Sequence, residues 1–169
     1  MGFRNCIFFI LLLVTIPFVK AQDEKFKALF MYNFTKYLEW PDSKQKGDFI
    51  IGVYGNSPII TELNIIAGKR KIKEQTLVIK KIFNTNELTQ CNIVYIPENH
   101  SNEAGKIAGI CQNKGIVIIT DKAGYAKLYS GLNYVKINGK LNFEINRKHL
   151  EDEGIVVNAA LLSLGIIVE

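Results

Sequence analysis

Four short apolar runs, separated by segments with helical periodicity, constrain the fold of this chain more than any other feature. The runs are read at residues 48–54, 75–83, 92–96 and 116–120 and contain FIIGVY, TLVIKKI, NIVYI and IVIIT. In each run the apolar residues follow one another instead of alternating with polar ones, which is typical of strands that are covered on both faces. Helical spacing at residues 59–67 and 101–112 separates them, so the pattern predicts βαβ units with right-handed crossovers.

The two flanks of this region predict further elements. Apolar residues recur at three- and four-residue steps from Asp23 to Trp40, which predicts a helix that ends at Trp40-Pro41. A hairpin is predicted around Asn138-Gly139, within residues 133–145, because Asn-Gly suits a type I′ turn. An apolar helix over residues 157–166 closes the chain. The expected fold class is α/β, a three-layer α/β/α sandwich with a mainly parallel sheet and a C-terminal β-hairpin.

The first 21 residues have a different character. Arg4 forms a short basic start, an apolar run extends from Ile7 to Ile16, and Ala21 occupies a position that signal peptidases prefer. A run of about ten apolar residues is too short to span a hydrocarbon layer of about 30 Å as a helix. Residues 1–21 are therefore predicted to be a signal peptide cut before Gln22, with an uncleaved anchor as the alternative. Residues 22–169 then form a single exported domain, expected in the periplasm.

The net charge of the chain is smaller once this leader is set aside. The whole sequence has 21 Lys and Arg against 16 Asp and Glu, a net charge of +5. Loss of Arg4 and Lys20 leaves 21 − 2 = 19 basic residues and a net charge of 19 − 16 = +3. A net charge of +3 is ordinary for a protein surface. Export also separates the protein from chromosomal DNA. No nucleic-acid partner is expected.

Motifs for catalysis or metal binding are missing from the sequence. It contains no Gly-x-Ser-x-Gly elbow, no Walker lysine loop and no Gly-x-Gly-x-x-Gly fingerprint. His100 and His149 are far apart and lack the close donor pairs of zinc sites. We therefore expect no enzyme activity, no metal and no cofactor.

A small-ligand cleft is an alternative at the carboxyl ends of the strands, where ligands bind in open α/β sheets. The residues expected there are Asn56, Ser57, Asp121 and Tyr125. The turn at Asn56 and Ser57 offers backbone N–H groups to an anion. Asp121 is either a general base or the cap of the following turn.

A run of lysines supplies a candidate surface. Lys69, Lys71 and Lys73 alternate, so they are predicted to share one face of an extended segment, with Lys80 and Lys81 nearby. Lysines on an edge strand deter aggregation between sheet edges. The alternative is a docking surface for anionic lipid or a protein partner.

The two cysteines of the mature chain are a candidate disulfide. Cys91 precedes the strand NIVYI and Cys111 ends the helix that follows it. A strand of five residues rises about 17 Å, and a helix of eleven residues returns about 16 Å. The two thiols are thus expected at the same level, within bridging distance. Two buried free thiols are the alternative.

Several segments together resemble the YfiR/HmsC-like periplasmic family, in order along nearly all of the mature chain. The opening motif is carried by Tyr32, Asn33, Phe34, Trp40 and Pro41, and the C-terminal motif by Phe143, Glu144, Ile145 and Asn146. Cys91 falls on a cysteine position of the family, whose members contain disulfides.

The resemblance implies regulation by protein binding. It predicts a non-enzymatic repressor that binds the outer domain of an inner-membrane receptor, either a diguanylate cyclase or a sensor kinase. It also implies an effect on cyclic-di-GMP and biofilm formation, and control by redox state. The oligomeric state stays open at this point, with a homodimer as one form. The alternative function is a periplasmic small-ligand sensor whose cleft lies at the Asn56 and Asp121 edge.

Overall fold

A mostly parallel sheet of eight strands forms the centre of the computed structural model, which describes residues 16–169. The predicted signal peptide lies largely outside these residues. The strands of the chain are β1 (Leu38–Glu39), β2 (Phe49–Tyr54), β3 (Lys71–Ile72), β4 (Gln75–Ile82), β5 (Ile93–Ile96), β6 (Val117–Thr120), β7 (Leu132–Ile137), β8 (Lys140–Ile145), β9 (Val156–Val157) and β10 (Ile166–Ile167). Their order in the sheet is β10-β8-β7-β6-β5-β2-β4-β3, and β1 and β9 form a separate antiparallel pair.

Helices cover both faces of this sheet and give three layers. They are α1 (Ile16–Phe34), α2 (Ile59–Ala67), α3 (Ala104–Cys111), α4 (Tyr125–Leu128), α5 (Arg147–Asp152) and α6 (Ala159–Leu164), with 3₁₀ helices at Asp42–Lys44, Thr85–Gln90 and Glu98–Glu103. One core lies between the sheet and α1 and α2, and contains Met31, Phe34 and Leu63. The other lies under α3 and contains Ile107 and Cys111. The predicted α/β/α sandwich is confirmed.

Local signals predicted several elements well. Helix α2 has the predicted bounds, because Pro58 and Gly68 flank it. Among the described strands of the large sheet, the antiparallel pairs are β3–β4 and β7–β8. The turn of the β7–β8 hairpin has φ of 51° at Asn138 and 76° at Gly139, both positive as a type I′ turn requires.

The first helix was predicted with the wrong bounds. It ends at Phe34 instead of Trp40, and Leu38 and Glu39 form β1. The reason is a long-range contact, since Leu38 pairs with Val157 of β9. Trp40 is then drawn into the core, where its indole N–H donates to the carbonyl of Asn92 at 3.1 Å. Helical periodicity in the sequence does not indicate pairing between strands that are distant along the chain.

Two other segments also differ from the prediction. The C-terminal helix is shorter than residues 157–166, because β9 and β10 take its two ends. The helix predicted at residues 101–112 is divided into a 3₁₀ helix and α3. Lys73 has a φ of 50° in the turn between β3 and β4, so the alternation of the lysine run breaks there.

Candidate functional site

A largely buried polar cluster lies where α1 crosses the carboxyl edge of the sheet. Asp121 follows β6, and its Oδ2 accepts hydrogen bonds from the Tyr95 hydroxyl at 2.5 Å and from Lys27 Nζ at 2.9 Å. Lys27 also donates to Glu24 Oε1 at 2.9 Å, one turn earlier on α1. The Tyr134 hydroxyl donates to the backbone carbonyl of Lys27 at 2.7 Å. We call these five residues the edge cluster.

The electrostatics of the edge cluster favour a fixed structure. Burial lowers the pKa of Lys27, but the carboxylates of Asp121 and Glu24 outweigh it, so the net pKa is raised and the ammonium stays charged. Burial, and then the charge of Asp121, raises the pKa of both Tyr95 and Tyr134. The hydroxyls are therefore neutral donors at any physiological pH. The cluster ties α1 to the sheet edge.

Two carboxylate oxygens of the edge cluster are buried without a hydrogen-bond partner among the described residues. They are Glu24 Oε2 and Asp121 Oδ1. The cluster holds two carboxylates against one ammonium, so Lys27 is its one compensating charge within residues 16–169. A buried carboxylate that loses its partner is strongly destabilising. Lys27 is thus the residue on which the cluster depends.

The four predicted cleft residues do not lie together. Asp121 is turned to α1, whereas Tyr125 packs with the core under α3, on the other face of the sheet. Asn56 and Ser57 lie at the β2–α2 turn, which His100 covers. A Cβ built on Gly55 in that turn would lie 2.1 Å from the His100 Nε2. The imidazole of His100 therefore fills the space next to the backbone of this turn.

Tyr125 has its own partners at the start of α4. Its ring lies 5.2 Å from the ring of Tyr129, at an edge-to-face angle, and the Lys122 ammonium lies 5.2 Å from its centroid. Lys122 also donates to the Ser101 hydroxyl at 3.1 Å. These contacts fix the carboxyl end of β6 on the face away from α1.

Cys91 and Cys111 are buried free thiols in the core under α3. Burial raises the pKa of Cys91 to about 11 and that of Cys111 to about 12, and each thiol is near enough to Lys44 to feel its charge. The presence of Cys91 further raises the pKa of Cys111. Thiols with such pKa values are protonated at neutral pH and are poor nucleophiles.

The residues of the opening motif have structural roles. Phe34 is 2% exposed, and its ring centroid lies 4.9 Å from that of Phe143. Trp40 packs edge-to-face on Phe49 at 4.9 Å. Asn33 is half-buried and accepts a hydrogen bond from Lys36 at 2.8 Å. Tyr32 is half-buried, and the Lys36 ammonium lies 4.8 Å from the centroid of its ring.

The C-terminal motif organises polar groups next to the β7–β8 hairpin. Glu144 accepts from the Asn133 side chain at 2.8 Å, and Asn133 accepts in turn from the Thr120 hydroxyl at 2.7 Å. Asn146 caps α5 by accepting from the His149 N–H and donates to the Ala126 carbonyl. The motif therefore orders the strands around the hairpin.

Two cavities lie away from the predicted cleft. One, of about 460 Å³, opens between α3 and α5 over β6, with Gly105, Gly109, Tyr129, His149 and Glu153 in its walls. The other, of about 710 Å³, lies between α5 and the C-terminal residues. Among residues 16–169 no set of three His, Cys, Asp or Glu side chains is placed to hold a metal ion. No described helix combines the length and apolar character needed to cross a membrane.

The sequence model of the YfiR/HmsC-like family matches residues 24–166. The chain belongs to this family. At the level of the family, its members are periplasmic regulators of diguanylate cyclase signalling and not enzymes. The match covers the edge cluster, both motifs and both cysteines.

Comparison with other known proteins adds information on the fold. No curated protein sequence gives a significant match. A crystal structure of an ABC domain in complex with L-Trp from Streptococcus pneumonia is similar in fold, with a TM-score of 0.51 and 12% sequence identity. The similarity covers 71% of this chain and 55% of that chain, so this YfiR-like chain spans about half the length of that protein.

Proposed function

We propose that this protein binds the outer domain of an inner-membrane diguanylate cyclase and restrains cyclic-di-GMP synthesis. The observation that carries the proposal is the family match over residues 24–166, which includes nearly all of the described chain. A membrane sensor kinase is the second class of receptor considered. Repression by binding reduces biofilm formation in the cell, and a homodimer is one form in which the protein acts.

The geometry of the sheet edge supports binding over catalysis. The groups that catalysis would use there are already engaged, because Asp121 accepts hydrogen bonds from both the Tyr95 hydroxyl and Lys27. A general base needs a free lone pair within reach of a substrate proton. The unpartnered oxygen of Asp121, Oδ1, is buried and so is shielded from solvent.

Export is part of the proposal. We infer that residues 1–21 are removed and that the protein acts in the periplasm. Helix α1 continues through residue 22, so cleavage there leaves Asp23 and Glu24 in the first turn of the helix. Acidic side chains in a first turn interact favourably with the helix dipole. Asp23 is also paired with Lys136 of the hairpin, which holds this new end in place.

The test of repression is deletion of the gene, with cyclic-di-GMP measured in cell extracts. We expect the level to rise on deletion and to return when residues 1–169 are supplied from a plasmid. A control plasmid that encodes residues 22–169 behind a start codon keeps the protein inside the cell and should not restore the level. An unchanged cyclic-di-GMP level after deletion, with the receptor gene expressed, contradicts the proposal.

We further propose that Cys91 and Cys111 form a disulfide in the oxidising periplasm. Both are buried in the same core. In the chain-entropy description, a disulfide that closes a loop of about twenty residues stabilises the folded protein by about 3 kcal/mol. Protein taken from the periplasm without reductant should yield one linked peptide pair that reduction separates. Complete alkylation of both thiols in unfolded, unreduced protein would show that the bond is missing.

The small-ligand sensor remains the second candidate, with one observation in its favour. The cavity between α3 and α5 has a volume of about 460 Å³, within the range typical of small-molecule sites. Its walls combine the bare backbone of Gly105 and Gly109 with polar groups of His149 and Glu153. This proposal places the ligand there, away from Asn56 and Asp121.

A further inference from the structure

Strand β4 has an open side along most of its length. On one side it pairs with β2 over six residues, from Leu77 to Ile82. On the other side β3 pairs only with Gln75 and Thr76. Among the residues that the structure describes, no strand pairs with the outer side of residues 77–82. The short hairpin partner thus leaves most of the outer side of β4 without a strand partner.

The direction of the backbone groups on this edge follows from one hydrogen bond. The Ile82 carbonyl accepts from the Gly55 N–H at 2.8 Å and therefore points to β2. Successive residues of a strand direct their N–H and C=O groups to opposite sides. Leu77, Ile79 and Lys81 consequently present three N–H and three C=O groups outward. Such a row is a template for one added strand.

The charge around this edge selects the kind of strand that fits. Lys80 and Lys81 lie on β4 itself, and Arg70, Lys71 and Lys73 lie exposed at its amino end. Two copies of the edge would bring these cations together, and like charges on paired strands are destabilising. An acidic strand would meet complementary charge at the same positions.

An exposed aromatic ring stands at the end of the same edge. Phe83, the residue after β4, is 64% exposed, and the Lys81 ammonium lies 4.8 Å from its ring centroid. Aromatic side chains frequently dominate the binding energy of protein interfaces. Phe83 therefore adds an apolar anchor beside the backbone template.

We propose that the β4 edge, residues 77–82, takes up an extended acidic segment of a protein partner by β-strand addition. Main-chain hydrogen bonds to Leu77, Ile79 and Lys81 supply affinity, and the surrounding cations and Phe83 supply selectivity. The inference rests on the proposed function for the partner's identity. Its test needs only the purified protein, so it fails or succeeds separately from the deletion experiment.

Two variants of one residue separate the backbone contribution from the charge. Lys81→Pro and Lys81→Thr both remove the ammonium, but only Lys81→Pro removes an outward N–H. Proline is tolerated on edge strands where the N–H faces away from the sheet, and threonine is a good strand former. Circular dichroism and thermal unfolding of both variants establish that they fold before binding is compared.

The probe is an acetylated, fluorescent peptide of four Glu-Val repeats, followed by fluorescence anisotropy at low salt, with a Lys-Val peptide as control. We expect saturable binding of the acidic peptide, about tenfold weaker for Lys81→Pro and about twofold to threefold weaker for Lys81→Thr. Hydrogen exchange should show protection of residues 77–82 on binding.

Several outcomes would overturn the proposal. They are the lack of saturable binding, equal losses in the two variants, binding of the Lys-Val peptide, or protection confined to another region. If sedimentation shows that the wild-type protein self-associates and that Lys81→Pro does not, the edge is assigned to a second copy of the chain. Binding to phosphatidylglycerol vesicles that both variants weaken equally would assign the cations to lipid.

Discussion

Replacing Phe34 with alanine should destabilise the protein by about 3–5 kcal/mol. Phe34 is 2% exposed, and its ring packs between those of Phe143 and Tyr134, with centroid distances of 4.9 and 6.2 Å. Truncation leaves a cavity between α1 and the hairpin that neighbouring strands cannot fill. The loss is a large share of the total of about 5–15 kcal/mol for a domain. Denaturant unfolding of the purified variant measures it.

A matched control for Phe34→Ala lies two turns earlier on the same helix. Phe26 is 43% exposed, so Phe26→Ala removes the same atoms from a largely solvated position. We expect a loss of about 1 kcal/mol or less for this variant. In cells, Phe34→Ala should be depleted together with its regulatory effect, whereas Phe26→Ala should be abundant. Similar losses for the two variants would contradict the packing of α1 described above.

Replacing Lys27 with methionine should cost about 3–5 kcal/mol, because it leaves the buried carboxylates of Asp121 and Glu24 without a counter-charge. Methionine keeps the unbranched side chain except for its terminal atom, so the effect reports the loss of the ammonium and its hydrogen bonds. The folded-state pKa of Lys27 is raised above its ordinary value of 10.5. The stabilisation that Lys27 provides is therefore fully present below pH 10.5. It is lost only as the pH rises through the higher pKa of the folded state. Unfolding at pH 7 measures the full effect.

The control for Lys27→Met is an exposed ion pair on α5. Lys148 pairs with Asp152 at 2.8 Å, with side chains 81% and 61% exposed. Lys148→Met should change stability by no more than about 0.5 kcal/mol, because solvent already screens that pair. The double variant Lys27→Met with Asp121→Asn should recover part of the loss. A Lys27→Met variant as stable as the wild type would show that the edge cluster does not hold α1.

The success of sequence-based prediction depended on how local each signal is. Helix α2 and the hairpin are specified by residues next to them, Pro58, Gly68 and Asn138-Gly139, and their bounds were predicted well. Strands β1, β9 and β10 are two residues long and exist only through distant partners, such as Leu38 with Val157. No periodicity over two residues reveals such pairing.

The edge cluster was missed for a similar reason, although the sequence held a signal. Glu24 and Lys27 are spaced to share a helix face with Met31, which is buried. Charged residues on a core-facing stripe need partners, and Asp121 after its strand was the available carboxylate. Tyr95, the one hydroxyl in an aliphatic strand, was the second sign. Only the crossing of α1 over the sheet edge shows that these groups meet.

The most direct measurement for the proposed function uses full-length membrane diguanylate cyclases of the same cell, each placed in lipid nanodiscs that leave both sides accessible. Purified residues 22–169 are titrated in, and the rate of cyclic-di-GMP synthesis is followed. We predict that one cyclase is inhibited saturably and with a defined stoichiometry. Synthesis that continues unchanged for every cyclase, at saturating concentrations of folded protein, would contradict the repressor account.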